Sequence, residues 1–192
     1  MGGRLKLGIA VKHALTPMKG TSMLITKAGP RTIKELNDKP AVEVSKKLGL
    51  KPPGLLGLYD PMGDFYWLKS WYAIEGENLV VNAPVTPNSC ICSMETTKNN
   101  QIKTAGVVAQ EAVEDSNALK IGAVFAVNCV GRHRACGEDA IKQYEEIRKS
   151  VGDKAVIGGF HGYGEHGAPK NCITGFHNMT LPLLVVSDEL LT

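Results

Sequence analysis

The 192-residue chain has no long apolar run. Its longest, Ala123–Val127 and Leu181–Val186, fall far short of the roughly 18 residues that a membrane-crossing helix needs. It has no block of Lys or Arg longer than a pair. Its 22 Lys and Arg stand against 19 Asp and Glu, a net charge of only +3. That balance argues against nucleic acid as a partner. Met1–Ala10 has neither an apolar core nor a small-residue cleavage pattern, so no signal peptide is expected. The five cysteines are an odd number, which suits reduced thiols in the cytoplasm better than a disulfide framework. No Cys-x-x-Cys or His-Glu-x-x-His spacing is present, so the standard metal patterns are missing. The chain is not short of apolar residues, with 43% hydrophobic against 21% charged, which excludes disorder. Its length implies one domain or a compact pair of subdomains.

Glycine is plentiful, at 21 residues, and several cluster between Gly131 and Gly175, where unusual backbone geometry near a site is expected. Leu5–Val11 reads as a strand. Met23–Lys27 and Thr32–Leu36 flank the turn Gly29-Pro30 and read as a hairpin. Asp38 is expected to cap a helix that has Pro40 in its first turn and Gly49 at its end. Lys51–Gly57 reads as a stiff connector. Phe65–Ile74 and Leu79–Ala83 form a second hairpin around Glu75–Asn78. Ser89–Glu95 is a strand that places Cys90, Cys92 and Met94 on one face.

The second half alternates. Thr96 or Thr97 caps a helix whose apolar stripe includes Ile102, Ala105, Val108 and Ala112. Ile121–Val127 has the look of a central strand buried on both faces. A helix over Gly137–Val151 follows, with Ala140, Ile141, Tyr144, Ile147 and Val151 inward. Ala155–Phe160 is the next strand, His161–Gly175 a glycine-rich loop, Phe176–Ser187 a long last strand, and Asp188–Thr192 a tail. Helical crossovers of this kind join parallel strands. The expected fold is α+β, a mixed sheet or sheets with two to three packing helices, extending to a multilayer sandwich.

Chemistry is expected on three loops, Asn128–Gly137, His161–Pro169 and His177–Thr180. The first leaves the carboxyl end of the buried strand, where ligands bind in open α/β sheets. Arg132 there could hold a carboxylate in a bidentate fork. Tyr163 and Glu165 are two apart and in extended chain would point the same way. His161, His166 and His177 with Cys129 or Cys172 are the residues from which a zinc or haem site would be drawn, without standard spacing. Cys129 with His161 or His177 as base is the raw material of a cysteine hydrolase. Equally, Cys129, Glu165, His177 and Asn178 could form a buried hydrogen-bond network that fixes the loops.

Three segments resemble the C-terminal domain of FIST proteins: Ala123–Arg132, Gly159-Phe160-His161-Gly162-Tyr163-Gly164-Glu165, and Phe176-His177-Asn178-Met179-Thr180. That family has a strand ending in Cys-x-(Gly/Ala)-Arg, a glycine-rich Tyr-Gly-Glu loop and a Phe-His-Asn-x-Thr strand start. Upstream, Ile25–Ala28 and Glu35–Ala41 are similar to its Val-Thr-Lys-Ala and Glu-Leu-Asp-Gly-x-Pro-Ala. The chain differs at His161, where the family has an aromatic, and at His166–Pro169, where it has Ile-Gly-Pro. The resemblance implies a linker-like strand segment over 1–20, a FIST C-like domain over 21–187 and a tail over 188–192. It implies a sensory domain of signal transduction that binds a small polar molecule, amino-acid-like or anionic, with no catalysis of its own. Its ligand-binding positions here would be Cys129, Arg132, Tyr163, Glu165, His177 and Asn178. Some members bind haem and sense nitric oxide, so haem is the cofactor alternative. The N-terminal FIST half is not in this sequence, which implies a partner chain that carries it, or a homodimer.

Overall fold

The computed structural model describes residues 5–169, 172 and 174–190. Residues 170, 171 and 173 of the expected glycine-rich loop, residues 1–4, and 191–192 of the expected tail lie outside the described residues. The chain forms two compact units. One is continuous, Leu15–Glu95, and the other is built from the segments on either side of it. The two are described separately.

The flanking unit begins with β1 (Leu5–His13). The continuous unit then supplies β2 (Thr16–Pro17), β3 (Met23–Gly29), β4 (Thr32–Leu36), β5 (Lys39–Pro40), α1 (Ala41–Lys47), β6 (Gly54–Asp60), β7 (Phe65–Glu75), β8 (Asn78–Val81) and β9 (Cys90–Glu95). Its strands run in the order β9-β3-β4-β8-β7-β6, and β6 pairs again with β9, so the antiparallel sheet closes on itself. Closure leaves no free edge among these six strands. Ile25, Ile33, Leu36, Leu56, Trp71 and Ile91 fill its core.

Two sequence expectations change here. Asp38 is not a helix cap: Asn37 and Asp38 both have positive φ and make the tight turn from β4 into β5. Such turns favour Asn and Asp, whose side chains tolerate the left-handed region. The stiff connector is shorter than expected, because Gly54–Asp60 is a strand paired along its length with β7. Glycine hid it: a Cβ at Gly54 would lie 1.9 Å from the Trp71 indole nitrogen, so the strand needs a residue of low strand propensity.

The chain returns to the flanking unit with α2 (Lys98–Ser116), β10 (Ile121–Cys129), α3 (Val130–Cys136), a 3-10 turn at Gly137–Ala140 and α4 (Ile141–Val151). β11 (Val156–Gly162), β12 (Glu165–Gly167), β13 (Gly175–His177) and β14 (Thr180–Leu190) follow. Thr97 caps α2, its hydroxyl accepting from the Asn100 amide. The sheet order is β1-β14-β10-β11. β10 and β11 are parallel across the helical crossover, while β14 is antiparallel to β10 and β1. Ala105, Val108, Ala109 and Ala112 of α2 and Ile147 of α4 pack on Val124, Ala126, Leu181, Leu183 and Val185. No helix among the described residues is long and apolar enough to cross a membrane.

The fold is α+β, as expected. Three details differ. β10 is central but buried on one face only, with Phe125 on the other 47% exposed. On α4, Ile141 is exposed and Gln143 is buried instead. The expected long last strand is two strands, β13 and β14, broken at Asn178-Met179, where Met179 has φ +58°. β14 continues past Ser187 into the expected tail.

Candidate functional site

The site grows from the carboxyl end of β10. Cys129 pairs with Gly162 of β11, and the chain passes straight into α3 at Val130 with no loop between. Arg132 is therefore in the first turn of a helix rather than on the expected loop. It is fully buried. Its Nε donates to Gln143 Oε1 at 3.2 Å and its Nη2 to the Gln101 carbonyl at 2.7 Å. Burial weakens the hold on its proton, lowering the guanidinium from its ordinary value to about 10. The remaining nitrogen, Nη1, has no partner among the described residues.

Glu165 opens β12, a three-pair hairpin with β13 in which it sits opposite His177. Its carboxylate is buried. Oε2 accepts from the Thr180 hydroxyl at 3.1 Å and the Thr180 amide at 3.4 Å. Burial raises its pKa from 4.5 to about 7. Hydrogen bonds from the Cys129 thiol and from Thr180, and the charge of Arg132, oppose that rise. Oε1 has no nitrogen or oxygen partner among the described residues. Cys129 is itself pushed up by burial and by the Glu165 charge, against amide donors from Gly131 and Met179. The Met179 amide meets its sulfur at 3.3 Å. A thiol raised in this way is a hydrogen-bond donor, and burial works against the thiolate a nucleophile needs.

Cys129, Arg132 and Glu165 thus form one electrostatically coupled group. His177 and Asn178 are also buried. The His177 Nε2 donates to the Gly167 carbonyl at 3.0 Å, which ties the two strands of the hairpin together. Tyr163 is not brought in. It is 78% exposed, because Tyr163-Gly164 is a bend between β11 and β12 and the two-residue alternation with Glu165 does not apply. Of the other histidines, His166 is exposed against Phe176, and His161 stacks edge-on with His133 at 4.7 Å between ring centres. Among the described residues no three His, Cys, Asp or Glu side chains are grouped to hold a metal ion.

Sequence reasoning missed Gln101 and Gln143, both buried; Asn128 and Thr180, also buried, lie at the ends of expected loops but were given no role. Two left a readable signal. Gln101 falls in phase with Ala105, Val108 and Ala112, and Gln143 in phase with Ile147 and Val151. A polar residue on an apolar stripe is buried, and a buried polar residue needs a partner. Here the Gln143 side chain accepts from Arg132, while the Gln101 side chain donates to the Thr96 hydroxyl at 3.1 Å and offers its backbone carbonyl to Arg132.

No curated protein matches the chain. The model of the FIST C domain matches residues 34–168, well over half of the sequence, and so includes Cys129, Arg132, Tyr163 and Glu165, while His177 and Asn178 lie beyond it. With that match, the chain belongs to the FIST C domain family, a sensory domain of signal transduction proteins.

Proposed function

We propose that this sensory domain binds a small polar molecule, amino-acid-like or anionic, beneath the β12–β13 hairpin at the carboxyl ends of β10 and β11, and that it does so in the cytoplasm. One observation carries the proposal. Arg132 and Glu165, a base and an acid both removed from water, each keep an atom that no nitrogen or oxygen of the described residues satisfies. Buried polar atoms are normally satisfied, and an unpaired guanidinium nitrogen, together with a carboxylate oxygen that no nitrogen or oxygen satisfies, suits a ligand with a carboxylate and a donor group. Arg132 Nη1 would donate to the carboxylate and Glu165 Oε1 would accept from the ligand's donor. Asn178 would frame the site from the β13–β14 turn, and Tyr163 would meet the ligand on its way in from the exposed bend. His177 positions the hairpin, and the Cys129 thiol holds Glu165. The free thiols of Cys90, Cys92, Cys129 and Cys136 support the reducing compartment.

A closed site needs an element that opens. The hairpin has only three residue pairs, so its local opening costs far less than global unfolding. A ligand that binds one hairpin position better than the other shifts that equilibrium. The signal would pass to a partner, either a chain with an N-terminal FIST half or a second copy.

Calorimetry and thermal shift against a panel of amino acids and dicarboxylates test the reading. At least one compound is expected to bind saturably and raise Tm. Its affinity should fall by about tenfold or more in Glu165→Gln, the loss of one charge-assisted hydrogen bond. Silence across the panel, or equal binding by wild type, Glu165→Gln and Arg132→Lys, would sink it.

A further inference from the structure

Among the described residues, the four-stranded sheet of the flanking unit packs its helices on one face and leaves large apolar side chains exposed on the other. Strand register shows what the bare face consists of. Leu7, Val186, Ala123 and Val156 stand side by side across β1, β14, β10 and β11. Ile9, Leu184, Phe125 and Gly158 form the next row, and Val127 with Phe160 continues it. Paired residues of a ladder project to the same side. No Lys, Arg, Asp or Glu interrupts these rows.

The exposure is large. Val156 is 70% exposed, Phe160 and Leu7 57%, Ile9 54% and Phe125 47%. At roughly 100 Å² for each of these five side chains, the patch reaches about 500 Å², a size that marks an interaction surface rather than ordinary apolar scatter. Two such faces buried against each other would remove about 1,000 Å², the lower bound for a specific interface.

We propose that this face is the interface of a two-fold homodimer, in which two sheets stack as a sandwich with the helices outside. The relief of the face favours a second copy over an unrelated chain. Phe125 and Phe160 meet edge to face at 5.8 Å and form a ridge. Beside them Gly158 leaves a notch, where an added Cβ would meet nothing within 4 Å. An isologous interface requires one patch to carry both the projection and its complement, and this one does. Stacked sheets lie about 10 Å apart with interdigitating side chains, which a ridge entering a notch supplies. The uncharged rows fit the same occupant, since an apolar face is matched best by its own copy. The pairing takes up the partner in the reading above but rests on the bare sheet face alone. Ligand binding by a monomer would sink the pairing and leave the ligand reading intact, and a dimer that binds nothing would do the reverse.

Sedimentation and native mass spectrometry of the whole chain test it. A particle of twice the 20.6 kDa mass is expected. Val156→Lys and Phe160→Glu, each at an exposed position, should raise the dimer Kd by about 100-fold or more with an unchanged far-UV spectrum. A monomer at concentrations on the order of 100 μM, a dimer indifferent to both substitutions, or a purified complex with a different chain on this face overturns it. If one variant fails to fold, the other still decides.

Discussion

At the scale of single residues, Glu165 sets a pH dependence with a defined sign. In the folded chain it keeps its proton up to about pH 7, against 4.5 for an ordinary glutamate. The folded state therefore binds more protons between those values. The stabilisation is complete below about 4.5 and is lost as pH rises through about 7. Melting temperatures taken across that window should fall towards neutral pH, and Glu165→Gln should flatten the fall. A wild-type profile as flat as the variant's would refute the assignment. Arg132→Ala strands Gln143 Oε1 in the interior and removes the second donor to the Gln101 carbonyl. Urea denaturation should show a loss of about 2–4 kcal/mol. Cys129, Arg132 and Glu165 were legible through motifs. The burial of Gln101 and Gln143 was readable from helical phase but their partners were not, because Gln101 meets Arg132 through a backbone carbonyl, and Thr180 is bonded to a residue fifteen positions away. Tyr163 was misplaced because alternation fails wherever a strand bends.

At the scale of elements, two junctions carry the site. Gly159 of β11 lies opposite Ala126 of β10, and an added Cβ would come within 1.9 Å of the Ala126 carbonyl. Gly159→Ala should disrupt the parallel pair that positions Cys129 beside Gly162. Hydrogen exchange should then rise along β10 and β11, and no change there would refute the close approach. The α2 cap is a milder lever: Thr97→Ala should cost about 1 kcal/mol in denaturant titration. Hairpins with polar turns, the capped α2 and the crossover were readable from the local pattern. β6 was not, since Gly54 and Gly57 are chosen by what approaches them from other strands. The one-sided burial of β10 was hidden as well: an apolar run looks the same whether its second face is covered by helices or left bare.

At the scale of the whole molecule, the division into Leu15–Glu95 and its flanks cuts across the 1–20 and 21–187 spans that the motifs outline. Local pattern does not reveal such a division, because β1 finds its partner β14 at the far end of the sequence, from His13 with Thr180 to Leu5 with Leu190. Leu181, fully buried between β14 and the helices, reports on the flanking unit. Leu181→Ala should cost about 2–5 kcal/mol, with exchange protection lost first in β1, β10 and β14. Loss confined to other strands would contradict the core described for that unit. The junction of the two segments has a temporal consequence as well. The Thr96 hydroxyl donates to the Ala14 carbonyl at 2.7 Å, so the chain leaves and rejoins the flanking unit one hydrogen bond apart. β1 is synthesised before the closed antiparallel sheet and β14 after it, so that closed sheet can mature while β1 waits, and the four-stranded sheet assembles only once β14 has been made.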